Sequence, residues 1–145
     1  MKAMVIDIGS NTVKYDVFEI QKSALVNVGH KSEVLGFISY IDKDGIPSSQ
    51  GMERLCAILS QYCLQAQDME CSHVLAFATA SLRRCAYPEI VIGKIYEKTG
   101  LRVELFSGET EARMSLEGVL VTHPEANDGV MADMGGGSTE LNLYK

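Results

Sequence analysis

Asp7-Ile8-Gly9-Ser10-Asn11-Thr12 follows the apolar run Met4-Val5-Ile6, and Asp133-Met134-Gly135-Gly136-Gly137-Ser138-Thr139-Glu140 follows Val130-Met131-Ala132. Each apolar run reads as a buried strand, and each carboxylate stands where its strand leaves a sheet. The glycines let the backbone turn back with N–H groups pointing outward, a concave nest suited to phosphate oxygens. A carboxylate beside such a nest can hold a divalent cation. Two such loops, in separate strand hairpins, suggest two lobes that clamp one phosphate chain.

Composition bounds the possibilities on either side of these loops. A chain of 145 residues, 46% hydrophobic and 22% charged, is sized for one ordinary globular domain with a real core. With 13 basic against 19 acidic residues and a net charge of −6, it is not expected to grip nucleic acid by bulk attraction. Anion binding must then be local. No apolar run approaches the roughly 20 residues that span a bilayer, and Met1-Lys2-Ala3-Met4 leads directly into a strand, so no membrane association and a cytoplasmic location are expected. Cys56, Cys63, Cys71 and Cys85 form no Cys-x-x-Cys pair and keep no metal-ligand rhythm with His30, His73 or His123. Reduced thiols are the expectation, with Cys56 and Cys63 on the apolar stripe of a helix.

From Ala3 to about Tyr40 the pattern predicts an antiparallel meander: Met4 to Ile8, Thr12 to Ile20 and Leu25 to Leu35. The turn-rich stretch Asp42 to Ser49 then precedes a long helix, with Met52, Leu55, Cys56, Leu59, Tyr62, Cys63 and Ala66 on one buried face. His73 to Ala78 reads as a strand. Pro88 opens a second helix that Gly100 can end in a left-handed cap. Arg102 to Phe106 gives another strand, and Ser107 caps a third helix running to about Val121. Strands alternating with helices imply parallel pairing through right-handed crossovers, added to the meander. This α/β order resembles one ribonuclease H-like lobe of the actin-like ATPase and sugar-kinase superfamily. On that resemblance 1–122 form the first lobe, 123–129 a connection, and 130–145 the first hairpin of a second lobe.

Four blocks, in order, carry a narrower resemblance. They are Ile6-Asp7-Ile8-Gly9-Ser10-Asn11, Ala78-Thr79-Ala80-Ser81-Leu82-Arg83, Ser107-Gly108-Glu109-Thr110-Glu111-Ala112-Arg113 and Asp133 through Leu141. Together they resemble the exopolyphosphatase and guanosine pentaphosphate phosphohydrolase family. The intact Gly-Gly-Gly-Ser-Thr-Glu-Leu and the Gly-x-x-Glu-Ala-Arg core are its most specific parts. Thr110 departs from the acid usual there, Arg84-Cys85 from a small or polar pair, and no arginine precedes Leu35-Gly36-Phe37.

The resemblance implies a Mg²⁺-dependent hydrolase that removes the terminal phosphoryl group of inorganic polyphosphate or of guanosine pentaphosphate. Glu111 matches the catalytic carboxylate that activates water. A glutamate in the first turns of a helix feels the positive helix end, which lowers its pKa, so a strong base there needs an apolar or anionic surrounding. Asp133 and Glu140 match positions that hold Mg²⁺, directly or through water, and Asp7, facing the same cleft from the other lobe, is expected to join them. Arg83 matches a phosphate-binding arginine, and N–H groups at Gly9, Ser10, Asn11, Gly135, Gly136, Gly137 and Ser138, with the Ser138 hydroxyl, complete the cradle.

Rival readings are a non-catalytic nucleotide-binding or scaffold protein, or a kinase, of the same superfold. Glu111 within its block discriminates them. The 145 residues alone are expected to turn over little substrate. Val130 to Tyr144 leaves apolar strand residues without a sheet, from which a homodimer through this hairpin, or poor order in it, is expected.

Overall fold

A computed structural model describes residues 1–22 and 24–145. In chain order the elements are β1 (Lys2–Ile8), β2 (Thr12–Gln21), β3 (Ala24–Val34), a 3-10 turn (Phe37–Tyr40), α1 (Ser49–Asp68), β4 (His73–Ala78), α2 (Ala80–Arg83), α3 (Pro88–Thr99), β5 (Val103–Leu105), α4 (Gly108–Thr122), β6 (Gly129–Met134) and β7 (Thr139–Tyr144). Five strands form one sheet in the order β3-β2-β1-β4-β5, and β6 with β7 forms a separate two-stranded sheet. Strand β1 is antiparallel to β2 on one side, with Ile8 opposite Val13, and parallel to β4 on the other, with Ile8 opposite Ala78. This is the mixed α/β sheet expected, meander first and parallel strands after.

The period-two pattern of β1 decides what each sheet face does. Met4, Ile6 and Ile8 are fully buried, as are Val13 and Val17 of β2. They pack with Leu55, Leu59 and Tyr62 of α1 and Val91 and Ile95 of α3 into one core. Burying each large aliphatic side chain of this kind contributes about 1.5–3 kcal/mol. Tyr62 spends its hydroxyl in the same place, donating to the Val13 carbonyl at 2.9 Å. Cys63, expected on the buried stripe, is only half-buried. It sits at the margin where the stripe turns toward water.

Local signals set the helix ends. The Ser48 side chain accepts from the Gly51 N–H at 3.2 Å and starts α1, and Ser107 accepts from the Thr110 N–H at 3.0 Å and starts α4. Gly100 closes α3 at φ 71°, a left-handed conformation that favours glycine. The four-residue helix α2 has no counterpart in the sequence reading, because one turn is too short to show helical periodicity.

The second sheet face carries Val5, Asp7, Lys14, Asp16, Leu75 and Phe77. This face and α4 line a common cleft of about 1020 Å³, to which Glu111, Met114, Ser115 and Asp133 also contribute. Helix α4 itself has no fully buried residue. The β6–β7 hairpin lies against α4 and exposes Met134 and Leu143 almost completely, at 81% and 85%. Among the described residues, no helix is long and apolar enough to cross a membrane.

Candidate active site

The two glycine loops are built alike. The Gly9 N–H donates to the Thr12 carbonyl at 3.0 Å, and the Gly135 N–H donates to the Ser138 carbonyl at 3.0 Å. Both bonds close their hairpins, so the Gly9 and Gly135 N–H groups, expected in a phosphate cradle, are already used. Ser10, Asn11, Gly136, Gly137 and Ser138 have no described partner for their N–H groups among the loop and side-chain bonds.

The loops also touch each other. A β-carbon added at Gly137 would collide with Ser10 Oγ and would lie 3.1 Å from Ala80 Cβ, while one at Gly136 would meet Asn11 Cβ at 3.3 Å. Only glycine at position 137 lets the second loop approach the first so closely. The first loop is in turn held by neighbouring segments of the chain. Leu35 and Gly36 N–H donate to the Asn11 carbonyl at 2.9 and 2.8 Å, and Ser81 Oγ donates to the Gly9 carbonyl at 3.3 Å. Ser10 is 5% exposed, and its hydroxyl has no hydrogen-bond partner among the described residues.

Around the loops stand the four acids and the arginine. Asp7 Oδ2 pairs with Lys14 Nζ at 3.2 Å, whereas Asp7 Oδ1 is buried without a partner. Burial pushes the Asp7 carboxyl above its ordinary value; Lys14 pulls it back, and the negative charges of Asp133 and Asp16 push it further up. Asp133 and Glu140 face each other across the β6–β7 ladder, with Glu140 buried. Among the described residues no three acids, cysteines or histidines come close enough to form a metal cluster by themselves.

Arg83 and Glu111 meet although they come from different elements. Arg83, the last residue of α2, donates from Nη1 to Glu111 Oε2 at 2.6 Å and to the Phe106 carbonyl at 2.9 Å. The short strand β5 makes this possible, since Phe106 N–H donates to the Ala78 carbonyl at 2.9 Å and so brings the start of α4 beside the end of β4. Stacking of the Phe77 and Phe106 rings, 4.6 Å between centroids, backs the same junction.

Glu111 lies in the first turn of α4, where the helix end favours its ionised form. Burial overrides this and raises its pKa. The bond and charge of Arg83 lower it, and Glu140 and Asp7 raise it again. Burial and the two acids therefore outweigh the helix end and the arginine at this carboxyl.

Two contacts were not legible in the sequence. Ser115 Oγ donates to Asp133 Oδ2 at 2.6 Å, and Asn142 Nδ2 donates to the Ala112 carbonyl at 2.9 Å. Arg113 pairs with Glu117 at 3.3 Å on the exposed side of α4, away from the cleft.

Residues 17–145 match the sequence profile of the Ppx/GppA phosphatase family. A curated relative, the guanosine-5'-triphosphate,3'-diphosphate pyrophosphatase of Pseudoalteromonas translucida (strain TAC 125), is 28% identical over 141 residues, which cover 97% of this chain and 28% of the relative. The solved structure of the Aquifex aeolicus Ppx/GppA family member superimposes with a TM-score of 0.90 at 25% identity, covering all of this chain and 47% of that one. An exopolyphosphatase from Cytophaga hutchinsonii ATCC 33406 gives a TM-score of 0.92 at 24% identity over all of this chain and 47% of that one, which speaks to the fold. The chain therefore spans between about a quarter and a half of the relatives it matches.

Proposed function

The chain belongs to the Ppx/GppA phosphatase family, and from that premise we propose that the protein hydrolyses the terminal phosphoanhydride of inorganic polyphosphate or of guanosine pentaphosphate. The observation that carries the reading is the Arg83–Glu111 pair, held at 2.6 Å, whose glutamate lines one cleft with Asp7 and Asp133.

In this reading Glu111 takes a proton from the attacking water as its oxygen bonds to the terminal phosphorus, and the bond to the bridging oxygen breaks in line. Arg83 has a double task. Its Nη1 orients Glu111, while Nε and Nη2, which make no described bond, reach phosphoryl oxygens. The N–H groups of Ser10, Asn11, Gly136, Gly137 and Ser138, with the Ser138 hydroxyl, bind the phosphate chain.

Asp7, Asp133 and Glu140 are the residues that would hold Mg²⁺. The orphaned Asp7 Oδ1 fits this assignment, because a cation bound there would satisfy an oxygen that burial has stripped of water. The three acids form no single ligand cluster among the described residues, so one or two of them would hold the ion directly, with waters and substrate phosphates as its other ligands. When bound, it neutralises charge on the phosphate oxygens.

The test is phosphate release by the intact protein from polyphosphate and guanosine pentaphosphate in parallel, with Mg²⁺ and with chelator. Glu111→Gln keeps an acceptor for Arg83, and its expected loss in kcat is about 10²- to 10⁴-fold with substrate binding retained. Equal turnover by the variant would overturn the role of Glu111. No release from either substrate would overturn the activity. The 145 residues alone are expected to show little turnover, and the exposed β6–β7 edge is expected to recruit either further chain or a second copy.

A further inference from the structure

Helix α4 carries Glu111 but buries no residue completely, so apolar packing does little to fix it against its surroundings. Polar bonds do this instead. Glu111 and Ser115 are one helical turn apart and share a face. Glu111 is tied to Arg83 in the first sheet's layer, and Ser115 Oγ donates to Asp133 Oδ2 at 2.6 Å in the hairpin. From the strand paired with the one carrying Asp133, Asn142 Nδ2 donates to the Ala112 carbonyl at 2.9 Å, next to Glu111. Its acceptor is a backbone carbonyl, so this bond depends on the place of the helix and not on any one of its side chains.

We propose that Ser115 and Asn142 latch the β6–β7 hairpin to α4, so that the Asp133 carboxylate and Glu111 are presented to the cleft as one unit. Both are positioning residues. The Ser115 hydroxyl engages Oδ2 of Asp133 and thereby fixes the carboxylate plane, leaving Oδ1 as the oxygen to face a cation or its waters. Hydrogen bonds to ligating carboxylates set their orientation, and losing one such bond typically weakens metal affinity about 10- to 100-fold. The metal half of this inference rests on the proposed role of Asp133, while the latch itself does not.

The experiment uses the intact protein and the variants Ser115→Ala, Ser115→Thr and Asn142→Ala. Hydrogen exchange of the hairpin amides is read without metal, and Mg²⁺ affinity is read by calorimetry without substrate. Ser115→Ala is expected to weaken Mg²⁺ binding about 10-fold and to speed exchange across Asp133 to Glu140, and Ser115→Thr, which keeps the hydroxyl, to restore both. Asn142→Ala is expected to speed hairpin exchange as well. Unchanged exchange in Ser115→Ala and Asn142→Ala would overturn the latch. Faster exchange with unchanged Mg²⁺ affinity would overturn its metal-positioning role. If the parent protein neither binds Mg²⁺ nor releases phosphate, the proposed function fails, and the exchange measurement still decides the latch.

Discussion

Arg83 Nη1 and Glu111 Oε2 lie 2.6 Å apart, and the same nitrogen also holds the Phe106 carbonyl at 2.9 Å. The arginine therefore fixes the carboxylate and the loop that delivers it in one gesture. It also depresses the basicity of Glu111, against burial and the negative charges of Glu140 and Asp7. Removing Arg83 should change both binding and protonation. Arg83→Gln is expected to weaken substrate binding at least 10-fold, since hydrogen bonds to charged groups are worth about 1.5–3 kcal/mol. With the lowering influence gone, the Glu111 pKa rises further, so the acid limb of the kcat/KM profile moves to higher pH. A profile that keeps its acid limb would show that another group limits the rate.

The approach of Gly137 to Ser10 predicts a paired result. Gly137→Ala forces the two loops apart, because its β-carbon collides with Ser10 Oγ. Overpacking of this kind costs about 1–3 kcal/mol, read as a rise in KM for the phosphate chain. Ser10→Gly in the same molecule removes the obstructing side chain and should recover most of the loss. A double-mutant cycle over KM checks this, and strict additivity would count against loop contact.

Asp7 gives a stability prediction with a definite sign. Its carboxyl is raised in the folded state, chiefly by burial, so the folded protein binds this proton more tightly than the unfolded chain does. The group's contribution is fully favourable below the unfolded pKa and is lost as pH rises through the folded pKa. Asp7→Asn should then melt higher than the parent at neutral pH without Mg²⁺, and the difference should vanish toward acid pH. Thermal melts across pH test this, and a variant less stable at neutral pH contradicts it.

Tyr62 anchors α1 to the start of β2 through the Val13 carbonyl at 2.9 Å, and burial pushes its phenol up to about 12. Tyr62→Phe should cost about 1 kcal/mol. For a chain of this length that lowers Tm by roughly 3–5 °C. Calorimetry of the two proteins measures it.

Much of the fold was legible because its signals are local. Met4, Ile6 and Ile8 alternate and are buried, Ser107 caps its helix as its position suggests, and Gly100 takes the left-handed conformation. The duplicated loops fold alike because the same residue types follow each strand. What sequence could not give is contact between distant elements. Arg83 and Glu111 each resembled a member of a known block, yet their mutual bond depends on the three-residue length of β5 and on Phe106. Ser115 and Asn142 look like ordinary polar surface residues until the hairpin is folded against α4. The Gly9 and Gly135 N–H groups, read as phosphate donors, turned inward because a tight hairpin must satisfy its own backbone first.

Strand β1 sits at the centre of the five-stranded sheet, yet its parallel partner β4 begins only at His73. During synthesis the meander β1-β2-β3 can pair as soon as it emerges, while the other edge of β1 stays open until the whole of α1 has been made. The first glycine loop therefore exists before the arginine, the glutamate and the second loop that give it meaning. Ribosome stalling between Asp68 and His73 should leave a nascent chain whose central strand is unpaired on one side, the moment at which this fold is most open to chaperones and to mispairing.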